Sequence, residues 1–247
     1  LEDLDSVESV GRQAAKRAAR MLGAKSVKTQ SVPVIFEPHM SAGLVAGILG
    51  AIDGDMVYKK ASFLGDKLDT LIAPPCLTVT DDPHIKRGIG STPFDGEGLP
   101  TAPKHLIDKG RLTTFLYDAY TARKAGVKPT GNSRRSYGGQ PYSGPFNFVV
   151  HAGQDELQDL LCSAPKAFLL TRGLGSGVNA VTGEYSRGAN GLWLEHGQIV
   201  HPVQEVTIAG DFIEMLQNID GLGTDFSMRG ASGAPSLRVA QMMVSGR

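Results

Sequence analysis

Two stretches, HLIDKGRLTTFLYD (residues 105–118) and GLWLEHGQIVHPV (residues 191–203), restrict this chain most. Each places alternating apolar residues on both sides of a short turn signal that ends in glycine: Asp108-Lys109-Gly110 in one, Glu195-His196-Gly197 in the other. A period of two belongs to a strand with one buried face, and a short turn closed by glycine sends the next strand back antiparallel. A molecule built on such hairpins has a mainly antiparallel sheet.

The remaining periodicities agree. VPVIF, CLTVTDD, FNFVVHAG, AFLLTRGL and SLRVAQMMV read as further strands, and AYTARKAG, QDELQDLLCSA and DFIEMLQNI as short helices. Near the start, Val7, Val10, Ala14, Ala18 and Met21 recur at spacings of three and four. Asp5 and Glu8 stand in capping-box spacing and Gly23 provides a stop, so residues 5–23 predict an amphipathic helix. Pro38 follows the VPVIF strand at a first helical turn, and Leu44, Val45, Ile48, Leu49 and Ile52 predict one buried helix beyond it. Residues 128–145, rich in Gly, Pro, Ser and Arg, predict a long surface loop. Strands outnumber helices and hairpins outnumber crossovers, which gives an α+β class with several packed helices.

Composition narrows the function classes. With 25 basic and 25 acidic side chains the chain lacks the electropositive excess that binding a phosphate backbone requires, so nucleic acid is not an expected ligand. Cys76 and Cys162 lie far apart and outside any C-x-x-C spacing, which argues against a disulfide framework or a thiolate zinc knuckle and points to a reducing, cytoplasmic setting. The longest apolar run, GLVAGILGAI, is well short of the roughly 20 residues that cross a bilayer, so no membrane span is expected. The chain opens at Leu1 without methionine or leader, so upstream sequence is expected to be missing.

The stretch VIFEPHMSAGLVAG, residues 34–47, sets Glu37 and His39 two residues apart where a strand runs into a helix. A helical zinc motif needs ligands one turn apart, so these two cannot share a helical face, and a site would need an outside ligand such as His84. The plainer reading is a helix start with an acid near the positive end of the dipole. Ser176 in GLGSGVNA lacks the strand-to-helix setting of a nucleophile elbow, and the glycines of residues 173–177 lack the G-K-[ST] ending of a phosphate loop. Asp95 and Glu97 in STPFDGEG could serve acid/base chemistry or a cation, but equally suit a turn. In TGEYSRGANGLWLEHG, the residues Thr182, Glu184, Tyr185, Arg187 and Trp193 form either a recognition surface or a hairpin corner around a core tryptophan.

The segments VPVIFE, GLVAGILGAIDGD, VYKKASFLGDKL, STPFDGEGLPT, YTARKAGVKPTGN, VNAVTGEYSRGANGLWLEHGQI, HPVQEVTIAGDF and MLQNIDGLGTD, taken in order, resemble the C-terminal domain of the TldD/PmbA family, and most closely its PmbA (TldE) branch. The resemblance implies a connector helix and linker over residues 1–30 and the family domain over residues 31–247, with the family's N-terminal domain absent from this chain. It further implies peptide maturation and proteolysis, a heterodimer of a TldD-like with a PmbA-like subunit, and a zinc helix H-E-x-x-x-H in the TldD-like subunit completed by a late cysteine. The family's other name, modulator of DNA gyrase, gains no support from the neutral charge here.

Laid on this sequence, the motif's first histidine falls on Glu37, its glutamate on Pro38, its second histidine on Ala42 and its cysteine near Arg229. None of the four preserves the family's zinc donor or base at its position, because alanine and proline offer no donor and arginine repels a dication. The expectation is a chain that binds no cofactor itself, zinc being held by a TldD-like partner, with Asp95, Glu97, Glu184, Tyr185 and Arg187 as a surface for peptide or partner. The alternatives are an autonomous metal-dependent hydrolase using Glu37, His39 and His84, and a homodimeric binding protein.

Overall fold

The computed structural model describes residues 5–175 and 177–246. Ser176 falls outside them. The chain starts with helix α1 (Val7–Ala19), strand β1 (Gln30–Phe36) and helices α2 (Pro38–Val45), α3 (Ile48–Ala51) and α4 (Gly54–Tyr58). Strands β2 (Val79–Asp81), β3 (Lys104–Asp108) and β4 (Arg111–Leu112), helix α5 (Ala119–Ala125), and strands β5 (Ser133–Arg134), β6 (Tyr142–Ser143) and β7 (Phe148–Val150) follow. Helix α6 (Leu157–Cys162), strands β8 (Lys166–Leu174), β9 (Glu184–Glu195) and β10 (Gln198–Asp211), helix α7 (Phe212–Gln217), and strands β11 (Ile219–Leu222), β12 (Ser227–Arg229), β13 (Ser232–Ala234) and β14 (Leu237–Ser245) complete it.

Both predicted hairpins form. Lys109 and Gly110 have φ of 47° and 81°, and His196 and Gly197 have φ of 48° and 75°. Positive φ at both central residues matches the right-handed twist of the strands that each turn joins.

The pairings β1–β8, β8–β9, β9–β10, β10–β14 and β14–β1 close a ring of five strands, in which β1–β8 is the parallel pair. Strand β11 pairs with the first half of β14, and β10 pairs with its second half. Closure leaves those five strands without a free lateral edge where they pair on both sides. A second sheet runs β12-β13-β7-β2-β3-β4, and β5 pairs with β6 alone. The class is α+β, with mostly antiparallel sheets.

One large apolar core joins the ring to the second sheet through α2 and α7, with Phe36, Phe168, Leu44, Phe212, Val79 and Phe148 all but fully buried. The other face of β1, β8 and β9 buries Ile35, Ala167, Leu169, Leu192 and Leu194 beneath Met21 and Leu161. Trp193 is 4% exposed and belongs to the large core.

Three expectations change. The buried helix of residues 38–52 is two helices, α2 and α3, broken where Gly47 meets Val178 and Phe212; a Cβ on Gly47 would lie 2.5 Å from Val178 Cγ2. Helix α1 is capped by Ser6, whose side chain accepts from Ser9 N, and not by Asp5; the apolar residues within it have no cover, with Val7 and Val10 exposed. Residues 128–145 are not a plain surface loop: Asn132 and Ser133 are fully buried, because Asn132 Nδ2 donates to Asp81 Oδ2 (2.7 Å) and Ser133 N to Asp95 Oδ2 (3.1 Å).

Candidate functional site

Strand β1 delivers the chain to α2 at Glu37, an extended N-cap residue with φ −60° and ψ 155°, and Pro38 begins the helix where a missing N–H costs nothing. Ser41 Oγ donates to Phe36 O (3.0 Å), locking the strand-to-helix corner. The Glu37 side chain does not cap the helix. It accepts a two-pronged contact from Arg20, Nη1 to Oε1 at 2.7 Å and Nη2 to Oε2 at 3.1 Å. Such a fork is among the stronger and more directional polar pairs available to a side chain.

A cleft of about 960 Å³ lies between α1, α2 and the β12–β13 hairpin. Glu37, Pro38, Ala42 and Arg229, separated by as many as 192 positions in sequence, all line it, as do His39, Arg17 and Arg20. His39 Nδ1 is 3.8 Å from Glu37 Oε2, and its Nε2 is 3.2 Å from the Thr171 carbonyl on β8. Burial pushes the His39 pKa down; the Glu37 carboxylate opposes this, while Arg17 and Arg229 add to the lowering.

Donor chemistry at these positions does not fit zinc. Ala42 and Pro38 have no donor side chain, Arg229 is a cation, and both Glu37 oxygens are engaged by Arg20. Among the described residues, no group of three or more His, Cys, Asp and Glu side chains is placed to hold a metal ion. The alternative ligand set is not assembled: His84 is outside the cleft lining, its backbone N–H on Asp82 Oδ1 (2.8 Å) and its Nε2 beside Thr101 Oγ1 (3.1 Å).

The predicted peptide surface divides. Asp95 is buried and accepts from the backbone N–H of Glu97 (2.9 Å), Leu99 (2.9 Å) and Ser133 (3.1 Å), so its carboxylate organises two loops from inside. Exposed Glu97 accepts from Ala119 N at the start of α5 (2.8 Å). Tyr185 is likewise buried, stacked on Phe212, because β9 turns alternate side chains to opposite faces. Glu184 is exposed, and Arg187 is half-buried.

Two polar centres carry no sequence signal. Arg20 sits past α1 with nothing to link it to Glu37. Asp81 is fully buried and accepts from Phe146 N (2.7 Å), Asn147 N (3.2 Å) and Asn132 Nδ2 (2.7 Å), with Lys104 Nζ 3.9 Å away. Burial raises the Asp81 pKa against those hydrogen bonds, and it lowers that of Lys104.

Residues 29–246 match the model of the PmbA/TldA metallopeptidase C-terminal domain. The chain belongs to this family. Metalloprotease PmbA of Escherichia coli O157:H7 is 38% identical over 248 residues, a match that covers 100% of this chain and 53% of that protein. A crystal structure of TldE from Thermococcus kodakarensis superposes with a TM-score of 0.88 at 26% identity, covering 99% of this chain and 56% of that one. A Thermotoga maritima structure, from a protein whose name links it to modulation of a DNA gyrase, has a TM-score of 0.89 at 34% identity over 99% of this chain and 56% of its own. The chain thus spans about half the length of the curated relatives it matches. Among the described residues no helix is long and apolar enough to cross a membrane.

Proposed function

We propose that this family member is the non-catalytic, PmbA/TldE-like subunit of a two-component metallopeptidase that acts on extended or unfolded peptides in the cytoplasm. The observation that carries this reading is the Glu37–Arg20 fork in a cleft whose motif positions are otherwise Pro38, Ala42 and Arg229. A carboxylate held by guanidinium, beside two side chains without donors, cannot complete a tetrahedral donor set. Zinc and the hydrolytic step therefore belong to a TldD-like partner. This chain contributes the wall of a shared chamber.

Its peptide role follows from the cleft's third side. Strand β12 is the edge of the second sheet, and its residues Ser227, Met228 and Arg229 are exposed and line the cleft. An unpaired edge is a template for an extended backbone, which supports selection of unfolded segments over folded ones.

The purified protein, alone and mixed with a TldD-like partner, is assayed for zinc, for cleavage of an unstructured peptide and for co-elution on a sizing column. Peptidase activity and co-elution are expected only for the mixture, with zinc on the partner. Stoichiometric zinc or cleavage by this chain alone refutes the proposal. Separate elution with self-association favours a homodimeric binding protein.

A further inference from the structure

We propose that a second cavity, between α3, the start of α4 and the β5–β6 arm, binds a short zwitterion: a free amino acid or a dipeptide with an apolar side chain, its ammonium on Asp53 and its carboxylate on Arg134. The cavity holds about 390 Å³, at the small end of the range that ligand sites occupy. Leu49, buried Phe146 and Phe148, and exposed Tyr142 give it apolar walls, and Asp53 and Arg134 are the charged residues that line it.

Neither charge is compensated. Asp53 and Arg134 come from different elements and are each half-buried, yet among the described residues neither forms an ion pair, with the other or with a third group. Asp53 caps α4 with Oδ1, which accepts from Asp55 N at 2.8 Å, and its Oδ2 accepts nothing among the described residues. Arg134 donates from Nη1 to the Pro145 carbonyl and rests over the Phe146 ring, 5.6 Å from its centroid, which leaves Nε and Nη2 without acceptors among the described residues. None of these three atoms is shut off from solvent, so each is open to a ligand.

Burial pushes the Asp53 pKa up; the charges of Asp55 and Asp118 add to the rise, and the Asp55 N–H and Lys59 oppose it. An ammonium beside the carboxylate relieves that cost, and the planar guanidinium matches a carboxylate in shape and charge. Two opposite charges that do not touch, set in one apolar-walled cavity, complement a molecule that carries both charges and an apolar side chain. A ligand with a single charge would satisfy one group and be repelled by the other. Ser232 lines both this cavity and the α2 cleft, so the two adjoin. Only the origin of the ligand, as a fragment of a cleaved peptide, rests on the peptidase reading above.

Isothermal titration calorimetry on the purified protein tests leucine and the dipeptide Leu-Phe, each free, N-acetylated, C-amidated and blocked at both ends. A doubly blocked Lys-Glu dipeptide, whose charges sit on side chains, separates that source of charge from free termini. At least one of the two free compounds is expected to bind, and either single block should weaken it roughly tenfold or more, the loss typical of a charge-assisted pair. Asp53→Asn keeps a capping oxygen for Asp55 N and should erase the effect of acetylation while leaving that of amidation. Arg134→Gln should do the reverse, and Arg134→Lys should keep part of the carboxylate preference. If Arg134→Gln fails to fold, Arg134→Lys and the blocked compounds on the unchanged protein still decide. Equal binding of free and blocked forms, no binding of either free compound, or tighter binding of the blocked Lys-Glu dipeptide overturns the inference. The zinc and cleavage assays of the peptidase reading stand or fall separately.

Discussion

A single buried carboxylate shows how much a side chain can determine. Asp81 ties together three chain segments by accepting from Phe146 N, Asn147 N and Asn132 Nδ2. Asp81→Ala strands those donors, and each unsatisfied buried group costs about 1–3 kcal/mol. Denaturant titration should therefore show a loss of at least about 3 kcal/mol. His39 makes a pH prediction. Its folded-state pKa lies below the ordinary value because burial disfavours the charged ring, so its contribution is fully present above the ordinary histidine range and is lost as pH falls through it. The melting temperature should drop between about pH 7.5 and about pH 5.5, and His39→Gln should reduce that drop.

Among the elements, α1 and α2 show opposite balances of burial. No residue of α1 is buried, and Arg20, just beyond it, is bound to Glu37 by the fork. Arg20→Gln should leave the global melt nearly unchanged and accelerate amide exchange across residues 7–19, because an element without buried apolar contacts opens at little cost. Helix α2 is packed, and its glycines differ by place. Gly43→Ala meets only Arg187 Nη1, at an unstrained 4.0 Å, and should stabilise by about 0.5–1 kcal/mol through helix propensity. Gly47→Ala drives a methyl against Val178 and Phe212 and should destabilise by about 1–3 kcal/mol, both measured by thermal melts.

At the level of the molecule, β14 joins β1, β10 and β11, so the closed ring depends on the last strand of the chain. Amides of β1, β8 and β14 should be the slowest to exchange, with rates that track global unfolding. The sequence by itself determined strands β1, β2, β3, β7, β8 and β14, the two hairpins, the α+β class and the place where β1 enters α2, because turn chemistry and periodicity of two or 3.6 act over a few residues, whereas the short strands β5, β6, β11, β12 and β13 carried no such signal. It also determined the side-chain chemistry offered at Glu37, Pro38, Ala42 and Arg229, since that is written in the residue itself. Closure of the ring, the inward turn of Asp95 and Tyr185, the fork from Arg20 and the meeting of Arg229 with α2 were decided only by the tertiary structure. Each depends on contacts between segments distant in the chain, where no local period records the partner, and burial is set by what packs on the other side.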